Sequence, residues 1–120
     1  MISLPIVLYL LFAHYVADFL CQTDYMAQNK SQSNTILMTH VGIYSLVITV
    51  GMWLIGIGLL NGFIFYVSCF VFHFITDYIT SRQTKRLFGK KDYHWGFAVV
   101  GIDQFAHYCQ LLITYYLLTN

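Results

Sequence analysis

Seven ionisable side chains interrupt the apolar segments of this sequence, and their types could support metal or proton chemistry. They are His14, Asp18, His40, His73, Asp77, Asp103 and His107. A charged group in the middle of a membrane helix costs about 2.5–3.5 kcal/mol on insertion scales. These side chains must therefore pair with one another, bind a ligand or line a wet cavity.

The spacing of these residues predicts that they meet. Three His/Asp pairs are separated by four residues, which places both members on one face of a helix. The pairs are His14/Asp18, His73/Asp77 and Asp103/His107, and His40 stands alone on another segment. At a rise of about 1.5 Å per residue, all seven lie in the same half of the predicted bundle.

Imidazole nitrogens combined with carboxylate oxygens are the ligands that zinc and similar divalent transition metals prefer. All seven residues are therefore candidate ligands for one metal ion or two. Asp18, Asp77 and Asp103 could bind the metal, orient a histidine or act as a general base. A metal with an open position generates hydroxide near neutral pH, which favours hydrolysis. Neighbouring basic residues, Arg82, Lys85 and Arg86, favour an anionic substrate such as a phospholipid headgroup.

Other functions use the same residues. They could form a path for protons or a divalent cation, although the other half of the bundle carries no charge. Paired histidines, His14/His73 or His40/His107, could ligate a b-type haem, but the neighbouring carboxylates do not suit a porphyrin slot. The cluster could also only fix helix packing in a membrane partner protein. We interpret His94, beside Trp95, as an interfacial residue, and Asp24, Lys30 and Asp92 as loop charges.

The elements that position these residues are predicted to be four transmembrane helices in one domain. Of the 120 residues, 58% are hydrophobic and only 9% are charged, against about 25% charged in soluble domains. Four segments approach the roughly 20 apolar residues that a membrane crossing needs. They cover residues 2–21, 35–58, 63–80 and 94–118. We expect a tight turn at Asn61-Gly62, a basic loop over 81–93 and a retained first helix rather than a signal peptide.

Charge sets the predicted orientation and excludes one class of partner. Five basic residues lie in the loop 81–93, and the sixth, Lys30, lies in the first loop. These loops share a side, so the positive-inside rule places them in the cytoplasm and both termini outside. A net charge of +1 argues against nucleic-acid binding. The three cysteines form no CxxC pair and are interpreted as packing residues. The expected partners are lipids, a second copy or a larger membrane complex.

A short repeat divides the chain into two halves. His14-x-x-x-Asp18-Phe19 matches His73-x-x-x-Asp77-Tyr78, and a helix carrying one further histidine follows each, with His40 in the first half and His107 in the second. Two membrane crossings separate the halves. The sequence therefore favours a parallel repeat of two helical hairpins, related by a pseudo-two-fold axis along the membrane normal.

These motifs, in this order and spacing, resemble those of DUF3307, a family of small, uncharacterised bacterial and phage membrane proteins. The resemblance covers nearly the whole chain and adds Gln22, Asp24 and Gln104 to the motif positions. It implies a location in a bacterial inner membrane, that of the host if the chain is phage-encoded. It implies no activity, because the family has none established. A looser similarity connects the chain to the membrane-bound metal-dependent hydrolases related to the inner-membrane protein YdjM, whose extended motifs it lacks.

Overall fold

The computed structural model describes residues 2–120 and folds them into helices joined by short turns. Helix α1 (Leu4–Tyr15) continues into a π-helical turn (Val16–Leu20), and a short helix α2 (Asp24–Asn29) follows. The long helices are α3 (Asn34–Leu54), α4 (Leu59–Gly89) and α5 (Tyr93–Thr119). The expectation of an all-α chain is confirmed for the described residues.

The four longer helices form a bundle in which α1 contacts α3 and α5, and both of these contact α4. Helices α1 and α4 therefore lie across one diagonal of the bundle, and α3 and α5 across the other. Helix α2 packs on α3. Every long helix thus presents one face to a common axis, on which the side chains of diagonal partners can meet.

Polar side chains occupy much of the interior, while apolar side chains cover the outside. The buried polar and charged residues include all seven candidate ligands, which are at most 8% exposed. The buried apolar side chains form one cluster, which includes Leu10, Ile48, Phe65 and Leu111. Leu4, Phe63, Phe105 and many other large apolar side chains are more than half exposed. This distribution is the reverse of that of a soluble bundle and suits an apolar surrounding.

Two helices are long and apolar enough to cross a membrane by length and composition, Asn34–Leu54 and Leu59–Gly89; an 18-residue stretch of each has a mean hydropathy of 1.6 and 1.8, respectively. The segment Leu4–Leu20 is apolar but shorter. This is consistent with membrane association. Membrane crossings by the first and last long helices, and the orientation of the bundle, stay predictions.

Two predicted connections differ from the structure. The chain does not turn at Asn61-Gly62, which lies within α4; the turn is earlier, because α3 ends at Leu54 rather than near residue 58. Gly56 and Gly58 adopt φ values of 82° and 93° there, a backbone region that glycine enters without strain.

The predicted basic loop over residues 81–93 is mostly helix. Helix α4 has 31 residues and continues through Gly89, about 46 Å at 1.5 Å per residue. Hydropathy marks where an apolar segment ends, but arginine, glutamine and lysine sustain a helix beyond that point. A tight turn with Lys91 at φ 60° then leads into α5, whose first turn is capped by Asp92.

Candidate metal centre

Three helices each supply one His/Asp pair to the middle of the bundle. The closest His Nε2 to carboxylate oxygen distances are 3.5 Å for His14/Asp18, 3.3 Å for His73/Asp77 and 3.2 Å for Asp103/His107. The four-residue spacing therefore does bring both members of each pair to one face.

The first of these pairs sits where α1 changes its helical form. Asp18 lies in the π-helical turn, where Cys21 N–H donates to the carbonyl oxygen of Val16, five residues earlier, at 2.9 Å. Such turns inside α-helices are frequently found at functional sites. The sequence predicts an unbroken helix over residues 2–21, so the π-helical turn is a difference from that prediction.

Four side chains converge on one point, and we call this set of residues site 1. It consists of Asp18, His40, His73 and Asp77, all buried, with potential ligand atoms within 4.8 Å of one another. His40 Nε2 lies 3.1 Å from Asp18 Oδ1, 3.3 Å from Asp77 Oδ2 and 3.2 Å from His73 Nε2. His73 Nε2 lies 3.6 Å from Asp18 Oδ1 and 3.3 Å from Asp77 Oδ2.

These separations match the edges of a metal coordination tetrahedron. With metal–ligand bonds of about 2.0–2.1 Å, tetrahedral geometry places neighbouring ligand atoms about 3.3–3.4 Å apart. Five of the six edges of site 1 lie between 3.1 and 3.6 Å. The set of two nitrogens and two oxygens is also one that zinc accepts.

Hydrogen bonding alone does not satisfy site 1. Among residues 2–120, the buried Asp18 Oδ1 has no hydrogen bond of acceptable geometry, although His40 Nε2 is 3.1 Å away. Short distances without hydrogen-bond alignment are expected where atoms point at a common centre rather than at each other. Burying a carboxylate oxygen without an aligned hydrogen bond is costly, and a bound metal ion would remove that cost.

A second group of potential ligands shares Asp18 with site 1. Asp18, Asp103 and His107 place one ligand atom each within 4.8 Å of one another. His107 Nε2 lies 3.2 Å from Asp103 Oδ2 and 3.3 Å from Asp77 Oδ1. Thr80 Oγ1 donates to Asp103 Oδ1 at 2.5 Å, which turns the other oxygen of that carboxylate towards His107.

His14 lies beside these groups with both ring nitrogens engaged. Its Nε2 donates to Gln104 Oε1 at 2.6 Å, and its Nδ1 is 2.9 Å from the Tyr44 hydroxyl. The Gln104 amide nitrogen in turn donates to Asp103 Oδ2 at 3.0 Å and, more weakly, to Asp18 Oδ2 at 3.4 Å. In this arrangement His14 and Gln104 orient the carboxylates.

Lys30 belongs to the cluster, which corrects its interpretation as an ordinary loop charge. Its Nζ donates to Asp77 Oδ2 at 2.8 Å and contributes a positive charge at the edge of site 1. Burial alone would lower the pKa of the Lys30 ammonium, but the Asp77 and Asp18 carboxylates outweigh burial and raise it. Lys30 ends α2, so this connection folds back over the cluster instead of extending into solvent.

A cavity of about 620 Å³ opens beside the cluster at its basic end. Its polar wall carries Asp18, Asp77, Asp103 and the cations Lys30 and Lys85. Its apolar wall carries Phe19, Phe88 and Val100. The cavity is therefore suited to a ligand with an anionic group near the cluster and an apolar portion further out.

Of the remaining residues singled out in the sequence, one lines the cavity and two lie away from the cluster. Gln22 lines the cavity, and its buried Oε1 has no hydrogen-bond partner among residues 2–120. Asp24 lies exposed in the first turn of α2 and His94 is exposed beside Trp95, both apart from the cluster. Sequence reasoning missed Tyr44 and Thr80, although Tyr44 follows His40 by four residues and so continues its polar stripe.

The chain belongs to the family described as "Protein of unknown function (DUF3307)", whose model matches residues 6–120. The resemblance seen in the sequence motifs is thereby confirmed over nearly the whole chain. No curated protein and no solved structure matches the chain. The similarity to the YdjM-related hydrolases accordingly gains no support.

Proposed function

We propose that this protein is an integral membrane hydrolase that uses a divalent, zinc-like ion at site 1 to cleave the phosphate ester of a lipid or lipid-linked phosphate. The observation that carries the proposal is the near-tetrahedral arrangement of the ligand atoms of site 1. In this proposal, Leu4–Leu20 and α5 cross the membrane together with α3 and α4. Lys30 and Lys85 face the cytoplasm.

A metal ion accounts for the negative charge of the cluster, whereas haem does not fit between its histidines. Three buried carboxylates face one ammonium among the described residues, which leaves two negative charges when the imidazoles are neutral. One divalent ion neutralises that excess. Haem fits poorly, because the rings of His73 and His107 stack on each other with centroids 3.9 Å apart and leave no slot for a porphyrin.

The cavity supports the choice of substrate. Lys30 and Lys85 would bind the phosphate oxygens, and Phe19, Phe88 and Val100 would contact the first carbons of the apolar portion. The apolar outer surface of the bundle lets such a lipid reach the cavity without leaving the membrane.

Held by Asp18, His40, His73 and Asp77, the ion would lower the pKa of water and so supply the hydroxide that attacks phosphorus, and the proton would leave through the open cavity. The new bond joins the hydroxide oxygen to phosphorus, while the bond between phosphorus and the ester oxygen breaks. The departing alkoxide takes a proton from water, so that one water is consumed and an alcohol and inorganic phosphate are released. Of the three predicted catalytic carboxylates, Asp18 and Asp77 serve as ligands in this scheme.

The test combines metal analysis with an assay of phosphate release. Full-length protein purified in dodecylmaltoside is analysed for bound metals and then incubated with phosphatidic acid in mixed micelles. We expect bound divalent metal, phosphate release that EDTA abolishes and zinc restores, and loss of both in His73→Ala. His94→Ala removes an exposed histidine outside the cluster and should behave as wild type. Metal-free wild-type protein whose stability does not respond to EDTA or added zinc would refute the metal centre, and metal-loaded protein without phosphate release would refute the hydrolase.

A further inference from the structure

The structure assigns a second divalent ion to the cluster, at a site that we call site 2 and that shares Asp18 and Asp77 with site 1. Its other ligands are His107 and Asp103. This inference rests on the proposed function for the ion at site 1. It changes that centre from a single metal to a pair bridged by two carboxylates.

The two oxygens of each shared carboxylate point to different partners. Asp77 places Oδ2 3.3 Å from both His40 Nε2 and His73 Nε2, and Oδ1 3.3 Å from His107 Nε2. A carboxylate whose oxygens face two separate sets of ligand atoms, as those of Asp77 do, is arranged to bridge two ions. Asp18 joins site 2 because it, Asp103 and His107 each offer one potential ligand atom within 4.8 Å of one another. Its Oδ1 faces site 1, and its Oδ2 accepts weakly from the Gln104 amide. In two-metal sites the ions are about 3.5–4 Å apart.

Site 2 has its own preorganised ligand pair. His107 Nε2 lies 3.2 Å from Asp103 Oδ2 and 3.3 Å from Asp77 Oδ1, which are again edges of the length expected around one ion. Thr80 holds the other oxygen of Asp103. A ligating carboxylate held in this way by a hydrogen bond is the usual support found around metal ligands.

The internal repeat leads to the same two sites. Exchanging the two halves of the chain exchanges α1 with α4 and α3 with α5, which are the diagonal partners in the bundle. The exchange also carries His40 onto His107 and Asp18 onto Asp77. A site built from His40 and both shared carboxylates thus has a counterpart built from His107 and the same carboxylates.

The counterpart differs from site 1 in one ligand. The equivalent of His73 is His14, which is occupied by Gln104 and Tyr44. Asp103 supplies the fourth ligand of site 2 instead of His14. The position of α3 that corresponds to Asp103 in α5 holds the apolar Ile36, so site 1 has no equivalent of this ligand. Site 2 is therefore richer in oxygen than site 1 and suits a harder ion, such as manganese or magnesium, as well as zinc.

A second ion would give the centre a positive charge that can bind a phosphate group. One divalent ion neutralises the two excess negative charges of the cluster, and a second leaves the centre with two positive charges. A phosphate monoester carries up to two negative charges near neutral pH. Two ions on opposite sides of a phosphoryl group also stabilise the attacking and the leaving oxygen together.

Manganese binding measures the number of ions and their coupling in one sample. EDTA-stripped, full-length protein in dodecylmaltoside is titrated with Mn²⁺, and bound metal and electron paramagnetic resonance spectra are recorded. We expect two ions per chain, with the multiline spectrum of an exchange-coupled pair. His107→Ala should bind one ion and show the six-line spectrum of isolated Mn²⁺, and Asp103→Asn provides the same test without removing side-chain volume. His94→Ala should bind two coupled ions.

The outcomes separate this inference from the proposed function. One ion per chain in the wild type, unchanged in His107→Ala and Asp103→Asn, would overturn site 2 and leave site 1 intact. Two ions without coupling would overturn the shared carboxylates. No bound ion in the wild type would overturn the metal centre altogether. Size-exclusion profiles identify a misfolded variant, and the other site 2 variant then decides.

Discussion

Removing His40 should abolish most of the stability that metal gives to this protein. His40 Nε2 forms three edges of the site 1 tetrahedron, at 3.1, 3.2 and 3.3 Å. Loss of a supporting group near a metal weakens affinity by about 10–100-fold, so the loss of a ligand should cost at least the upper end of that range. His40→Ala should therefore bind metal about 100-fold more weakly than wild type.

The stability change follows from mass action. At a free metal concentration of 100 times the dissociation constant, binding stabilises the folded state by about 2.7 kcal/mol, and at a concentration equal to the dissociation constant by about 0.4 kcal/mol. At the same zinc concentration, the stabilisation should thus fall from about 2.7 kcal/mol in wild type to about 0.4 kcal/mol in His40→Ala.

The assay is unfolding by sodium dodecyl sulfate titration, followed by tryptophan fluorescence, with zinc and with EDTA. Taking the difference within each variant removes any effect of the substitution on the metal-free protein. His94→Ala, exposed and outside the cluster, should retain the wild-type difference. An undiminished zinc effect in His40→Ala would refute the tetrahedral assignment, and so would a wild-type protein whose unfolding ignores zinc.

Three further expectations concern the cavity, the helix packing and the orientation. Lys30→Gln removes a competing cation at Asp77 Oδ2, so it should raise zinc affinity several-fold by calorimetry while lowering phosphate release from anionic lipid. Gly96→Ala should destabilise the fold by about 1–3 kcal/mol in detergent unfolding, because the added Cβ would collide with the ring of Phe88. In the control variant Gly101→Ala the added Cβ meets open space, so this variant should be neutral or stabilising. The orientation can be tested by cysteine labelling in a background whose three cysteines are replaced by alanine. An impermeant maleimide should label Lys85→Cys only in inverted vesicles and Thr119→Cys only in right-side-out vesicles. Labelling of both from one side would refute the proposed orientation.

The sequence was sufficient for the local part of the site. A four-residue spacing on a helix fixes which side chains share a face, whatever the tertiary structure. It therefore placed His73 beside Asp77 and Asp103 beside His107 correctly. The cost of burying these groups in apolar segments also showed that they had to converge, and the structure brings all of them to one interior.

The features that the sequence did not predict depend on tertiary structure. Lys30 reaches Asp77 because α2 folds back over the cluster, and a charge in a polar connection has no pattern that reveals such a contact. Hydropathy located the end of the apolar part of α4 but not the end of the helix. The partition of carboxylate oxygens between His40 and His107 depends on rotamers and on the π-helical turn at Asp18, and neither has a signature in residue spacing.

The cluster also has a structural consequence for α1. Helices α3 and α5 pack along α4 far more extensively than α1 packs on either of them. The inward side of α1 and its π-helical turn carries His14 and Asp18, whose partners are Tyr44, Gln104 and His40. Without a metal ion, the approach of Asp18 to Asp77 opposes the docking of α1, and Lys30 offsets only part of that repulsion. A metal ion at site 1 would let the same carboxylates hold α1 against its diagonal partner. Under the proposed function, metal binding and the completion of the bundle would therefore be linked, because the residues that would bind the ion are the ones that join the two halves of the chain.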